Sequence, residues 1–173
     1  MPTVITTVGA ATANSYVSEA DADTYHTLHI AAYVTDWTGA IPTTKQEAVI
    51  LATRLLDAMY EWAGYAVDDV QALGFPRSDL LTRNGFALDY ESIPVELENA
   101  TAEFARQLIT SNRAADSEID AQGITDLKAG PVALSFKDFV PPKVVPDAVI
   151  HLIPREWGSP RGRKVSVRTL LRA

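Results

Sequence analysis

The sequence predicts a mainly α protein: a small helical bundle with a β-hairpin and extended N- and C-terminal arms. Three observations lead there. Two stretches, 43–62 and 94–112, repeat apolar residues at helical spacing. Two short alternating segments, 124–128 and 132–136, flank Ala129-Gly130-Pro131 and read as a hairpin. Both ends lack helical periodicity, and the last fifteen residues are rich in arginine.

The 43–62 stretch organises the rest. Ala48, Ala52, Leu55, Met59 and Trp62 form one stripe, widened by Val49 and Leu56. Glu47, Arg54 and Glu61 recur on the opposite face, so one side is apolar and the other wet. Thr44 and Glu47 have the spacing of a capping box. Gly64 supplies a stop. Leu55 is expected to be buried, so that Leu55→Asp would unfold the chain by placing an unpaired carboxylate in the core.

Before this helix, Val4 to Val8 is a short β-branched run within an arm of residues 1–17, with Gly9 and Asn14 following it, and reads as a strand seeking a partner. Ser18 is an N-cap candidate, and Glu19, Asp21 and Asp23 place negative charge at a helix start. That helix should reach His29 and bury Tyr25 and Leu28. Residues 31–42 read as a connection. Residues 64–93 read as loop, punctuated by Gly74, Pro76 and Asn84-Gly85.

Pro94 opens the second periodic helix, whose stripe is Leu97, Ala100, Thr101, Phe104, Ala105 and Leu108. Its apolar face matches that of the 43–62 helix, and their contact is the expected core. Residues 113–122 form a polar linker, and 147–153 a short helix after Pro146. The domain is therefore 1–158, with 159–173 a basic C-terminal tail.

Composition narrows the class. The chain has 173 residues, no cysteine and a net charge of −7. Disulfides and thiolate chemistry are excluded. No apolar run is long enough to span a bilayer, and no membrane partner is expected. Residues 155–173 carry +5, leaving −12 on the remainder. A basic tail on an acidic body points to a partner for the tail, against the simpler reading of a solvated charge run.

No phosphate-binding loop, nucleophile elbow or zinc-protease motif is present. His26, His29 and His151 have no assignable serine or acid partner. Asp23, His26 and His29 have helical spacing that could hold a metal, but no further ligand stands nearby in sequence. The expectation is no enzyme, no cofactor and no metal.

The motifs Ala13-Asn-Ser-Tyr-Val-Ser-Glu-Ala-Asp, Ala52-Thr-Arg-Leu-Leu-Asp and Leu73-Gly-Phe-Pro-Arg-Ser, followed by Ile93-Pro and an acidic helix, come in an order that resembles a tailed-bacteriophage family. Its members look like head–tail connector, or neck adaptor, subunits, and similar sequences are labelled DnaT-like single-stranded-DNA-binding proteins. The resemblance covers about residues 8–137. It implies a structural virion protein at the head–tail interface, made in the host cytoplasm. It also implies a homo-oligomeric ring, typically of twelve subunits, touching a portal protein and a tail or head-completion protein. Genomic double-stranded DNA would pass through the lumen without specific binding. The alternative is single-stranded-DNA binding, which needs aromatics interleaved with basic residues.

The expected partner-binding residues, ordering against a portal or a neighbouring adaptor, are Arg161, Arg163, Lys164, Val165, Val167, Arg168, Leu170, Leu171 and Arg172 of the tail. Leu73-Gly-Phe-Pro-Arg-Ser has an ordinary explanation as well: Phe75 anchors a loop, Pro76 stiffens it and Arg77 pairs with an acid.

Overall fold

A computed structural model describes residues 2–111, 126–129, 132–135 and 144–161. Helices dominate them, as the periodicity predicts, and the strands pair in three two-stranded sheets.

Helix α1 is Glu19–Thr27. Ser18 caps it, its side chain accepting from the Asp21 amide at 3.1 Å, and the acidic first turn follows the dipole rule. The helix stops two residues short of the expected end. Leu28 therefore falls at the C-cap and is 84% exposed, not buried, while Ala22 and His26 form the core-facing line. His26 donates from Nε2 to the Ala102 carbonyl, 3.2 Å away. Burial lowers its pKa to about 4, so the ring is neutral at physiological pH.

The connection is more structured than its composition suggests. A 3-10 turn at Ala31–Tyr33 leads into α2, Thr35–Thr38. Trp37 on α2 is fully buried, and its indole N–H donates to Asp23 at 2.7 Å.

Helix α3 is Pro42–Met59. Pro42 sits at the first position, where its missing N–H costs nothing, and Ile41 precedes it without a side-chain cap. Thr44 is thus already inside the helix, and the expected capping box does not form. The helix also ends earlier. The chain turns extended at Tyr60 and becomes strand β1, Tyr60–Trp62, so Trp62 is not on the helical stripe. Without Trp62 to anchor it, the buried face centres on Val49, Ala52, Thr53 and Leu56, about one residue round from the expected line. Leu56 is fully buried and Leu55 only half-buried, which corrects the expectation for Leu55.

Helix α4, Val95–Thr110, matches the sequence reading closely. Leu97, Ala100, Thr101, Phe104, Ala105 and Leu108 are all buried, and α4 packs along α3. Two charged residues join them. Arg106 pairs with Glu103 at 2.7 Å, and Glu103 also accepts from the Tyr33 hydroxyl at 2.7 Å and Gln107 at 2.8 Å. Burial alone would raise the Glu103 pKa, but these donors together hold it below the ordinary value.

Strands β2, Tyr65–Ala66, and β3, Arg77–Ser78, pair antiparallel inside the expected loop. Strands β4, Asp126–Ala129, and β5, Val132–Ser135, form the predicted hairpin, with Ala129 opposite Val132. Helix α5, Asp147–Leu152, packs on α4. The chain then makes a 3-10 turn, Arg155–Trp157, and strand β6, Gly158–Pro160, which pairs antiparallel with β1. The start of the expected tail is therefore part of the body: Ser159 and Pro160 lie in the sheet. The N-terminal arm forms no strand among the described residues. It folds back on itself, with the Asn14 side chain accepting from the Ile5 amide and donating to the Thr3 carbonyl, each at 2.8 Å. No helix among the described residues is long and apolar enough to cross a membrane.

The packing sets a contrast between neighbours. Leu56→Asp is expected to abolish cooperative thermal unfolding, because its carboxylate would have no route to water. Leu55→Asp is expected to leave a folded chain with a lower melting temperature. Circular dichroism melts of both variants check this, and a reversal of the two would refute the helix orientation.

Candidate nucleic-acid interface

The three motifs that carry the family resemblance meet at one carboxylate. Asp57, from Ala52-Thr-Arg-Leu-Leu-Asp, lies at the end of α3. Its Oδ1 accepts from the Tyr16 hydroxyl and from the Trp62 indole at 3.0 Å, and its Oδ2 accepts from the Gly74 amide at 3.0 Å. Tyr16 belongs to the first motif and Gly74 to the third. The Tyr16 hydroxyl in turn accepts from the Phe75 amide at 3.1 Å, and Thr53 accepts the Tyr16 amide at 3.1 Å. Burial raises the pKa of Asp57, offset in part by those three hydrogen bonds and the Arg77 charge. Burial, then the neighbouring Asp57, pushes Tyr16 well above its ordinary value, so it remains a donor.

Gly74 is required by space. A Cβ there would stand 2.6 Å from both Asp57 Oδ1 and Trp62 Nε1. Phe75 is 1% exposed and packs edge-on against Trp62 and Tyr16, as a loop anchor should. Arg77 does something other than the expected acid pairing. Its guanidinium donates to the carbonyls of Ala63, Gly64 and Gly74, tying the loop to the end of β1. The motifs thus build a folding junction and present no open site.

A groove of about 620 Å³ lies on the other side of β1. It is lined by Tyr60, Arg83, residues 150–151 and 153–156, and β6. Its two walls are pinned together. Trp157, fully buried, donates its indole N–H to the Leu81 carbonyl at 2.7 Å, which fixes the 81–87 turn against the 155–157 turn. Below them, the Ala63 amide donates to the Trp157 carbonyl at 2.9 Å. Gly158 has φ 155°, and a Cβ there would stand 2.5 Å from the Glu61 carbonyl oxygen, so glycine permits the close strand approach.

Charge singles this groove out. Residues 2–111 hold fifteen acidic and five basic side chains, a net of −10. Among the cations of residues 2–111 and 144–161, Lys45 pairs with Asp23, Arg77 and Arg161 donate to carbonyls, and Arg106 pairs with Glu103. Arg54, Arg83 and Arg155 are left without such bonds among the described residues, and two of these three line the groove. Glu156 is the acidic residue among the lining.

Of the tail residues expected to bind a partner, Arg161 alone is described. Its amide donates to the Met59 carbonyl at 2.6 Å and its Nε to the Tyr60 carbonyl at 3.1 Å, which satisfies carbonyls freed at the end of α3. Arg163, Lys164, Val165, Val167, Arg168, Leu170, Leu171 and Arg172 lie outside the described residues. Arg83 went unnoticed in the sequence because it is a lone charge in a loop, and Arg155 was counted there only within the basic stretch 155–173; both line this groove. The Asp23, His26 and His29 spacing, set aside in the sequence for want of further ligands, forms no cluster among the described residues. Asp23 is taken by Trp37 and Lys45, and no metal-sized cluster of His, Cys, Asp or Glu occurs among the described residues.

Fold and groove define a small helical module with a basic-edged surface on an acidic body. The family described as "Putative DnaT-like ssDNA binding protein" matches residues 1–165, and the chain belongs to it. No curated protein and no solved structure matches the chain. The match carries the DnaT-like part of the resemblance and not the connector part.

The junction makes its own prediction. Asp57→Ala leaves the Tyr16, Trp62 and Gly74 donors without their acceptor, at a cost on the order of 3 kcal/mol. Chemical denaturation should show that loss, and an unchanged midpoint would contradict the role assigned to Asp57.

Proposed function

We propose that the chain is a non-catalytic single-stranded-DNA-binding protein whose strand enters the groove between the 81–87 turn and β6. The observation that carries this reading is the placement of Arg83 and Arg155, two cations without hydrogen-bond or ion-pair partners among the described residues, on one groove lined by β6. Phosphates meet these arginines, and the acidic body confines the strand to this edge by repulsion. The family description supports the same ligand. The tryptophans are not the stacking surface: Trp37 and Trp157 are fully buried and Trp62 is tied to Asp57.

A second reading is favoured by the net charge of −10 on residues 2–111, which suits a wall that DNA slides past. In it the chain is a head–tail connector subunit of a phage virion, ring-forming, with its tail on a portal protein. Mass measurement of the chain alone and with its portal separates the two. A chain that stays monomeric and never joins the portal removes the connector reading.

For the leading reading, titration with a labelled single-stranded oligonucleotide should give binding that weakens steeply with salt. Arg83→Ala with Arg155→Ala should reduce the log–log salt slope by roughly 1.4, at about 0.7 per single-strand phosphate contact. Absence of binding at low salt would overturn the proposal.

A further inference from the structure

The groove's arginines contact phosphate and leave open what meets the bases. The 81–87 turn offers an answer. Leu81 and Ala87 form an isolated antiparallel bridge, and Leu88 donates to the Leu80 carbonyl at 2.9 Å. Inside it, the Thr82 amide donates to the Phe86 carbonyl at 2.7 Å, and the Phe86 amide donates to the Thr82 hydroxyl at 3.1 Å. The Gly85 amide donates to the Thr82 carbonyl at 2.8 Å. The turn is thus tightly bonded, and the Trp157–Leu81 hydrogen bond fixes it to the fold.

On this braced turn Phe86 is 72% exposed. A large apolar ring this exposed, on a turn held by five backbone-directed bonds, is not part of the core formed by the described residues. Other exposed aromatics differ in setting: Tyr33 donates to Glu103 and stacks under Arg106, and Tyr65 and Tyr90 share no turn with a groove-lining residue, whereas Phe86, itself outside the lining, sits on the turn that supplies Arg83. Phe86 shares its turn with Arg83, three residues away, which lines the groove.

We infer that Phe86 is a stacking platform for one base of the strand whose phosphates Arg83 and Arg155 hold. The inference rests on the single-strand reading above and adds its base contact. An exposed ring and a cation three residues apart on one turn suit a nucleotide, which offers a flat base and an anionic phosphate. Stacking on phenylalanine is indifferent to sequence, so the contact gives affinity without base preference.

The test uses the full chain and two labelled strands of equal length, oligo-dT and an abasic strand with the same phosphates. Phe86→Ala should weaken oligo-dT binding roughly tenfold, the size of one lost stack, with an unchanged salt slope. The abasic strand should bind wild type and Phe86→Ala equally, and Phe86→Trp should restore oligo-dT affinity. Equal oligo-dT affinity for wild type and Phe86→Ala overturns the inference while leaving the single-strand reading in place. Equal losses on both strands also overturn it, because they show damage to the turn or to phosphate contacts. If wild type binds neither strand, the single-strand reading itself falls, and this inference with it.

Discussion

The Asp57 carboxylate is the constraint on which the rest of the structure depends. It is drawn into the interior by α3, and a buried carboxylate persists only if its oxygens are satisfied. Three donors from three separate stretches do this: Tyr16 from the N-terminal segment, Trp62 from β1 and Gly74 from the following loop. Each donor fixes the path of its own segment. The N-terminal segment is tied to α3 through Tyr16 at Thr53 and Asp57, and β1 and the following loop are tied to the end of α3 through Trp62 and Gly74. Arg77 then closes the loop by donating to the carbonyls of Ala63 and Gly64 at the end of β1.

From this junction the groove follows. β1 has an edge, and β6 takes it, held at close range through Gly158 and ended by Arg161 against the last turn of α3. Trp157, carried by the same segment, reaches the 81–87 turn. The arginines that line the groove are thus positioned by contacts made far from them in sequence. The two regions divide the labour: motif residues spend their polar atoms on each other, while in the groove Arg83 and Arg155 have no hydrogen-bond or ion-pair partner among the described residues.

Periodic elements were legible in the sequence, and their ends and partners were less so. The α4 face was readable residue by residue because Pro94 fixes its start and its apolar stripe is uninterrupted. The hairpin at β4–β5 and the short helix α5 were readable for similar reasons, each bracketed by glycine or proline. The α3 face was misplaced by about one residue because Trp62 continues the helical spacing by coincidence, while β6 pulls Tyr60–Trp62 into a strand. That pairing spans about a hundred residues of sequence and leaves no local pattern. Trp37 was missed as core because its burial depends on Asp23 from another helix. Leu28 was overvalued because a cap position looks like a helical one until the end of the helix is known. For the site, the basic charge of 155–173, Arg155 included, was plain, whereas Arg83 and Phe86 had no motif to announce them.

The central claim is that the shared motifs fold the chain and the groove beside β6 meets the ligand. Hydrogen–deuterium exchange of the full chain, with and without oligo-dT, tests it most directly. The account predicts slowed exchange at 81–87 and 155–161 on adding the strand, with 13–18, 52–57 and 73–78 protected equally in both states. Ligand-dependent protection concentrated in those three motif segments, with the groove unchanged, would contradict it.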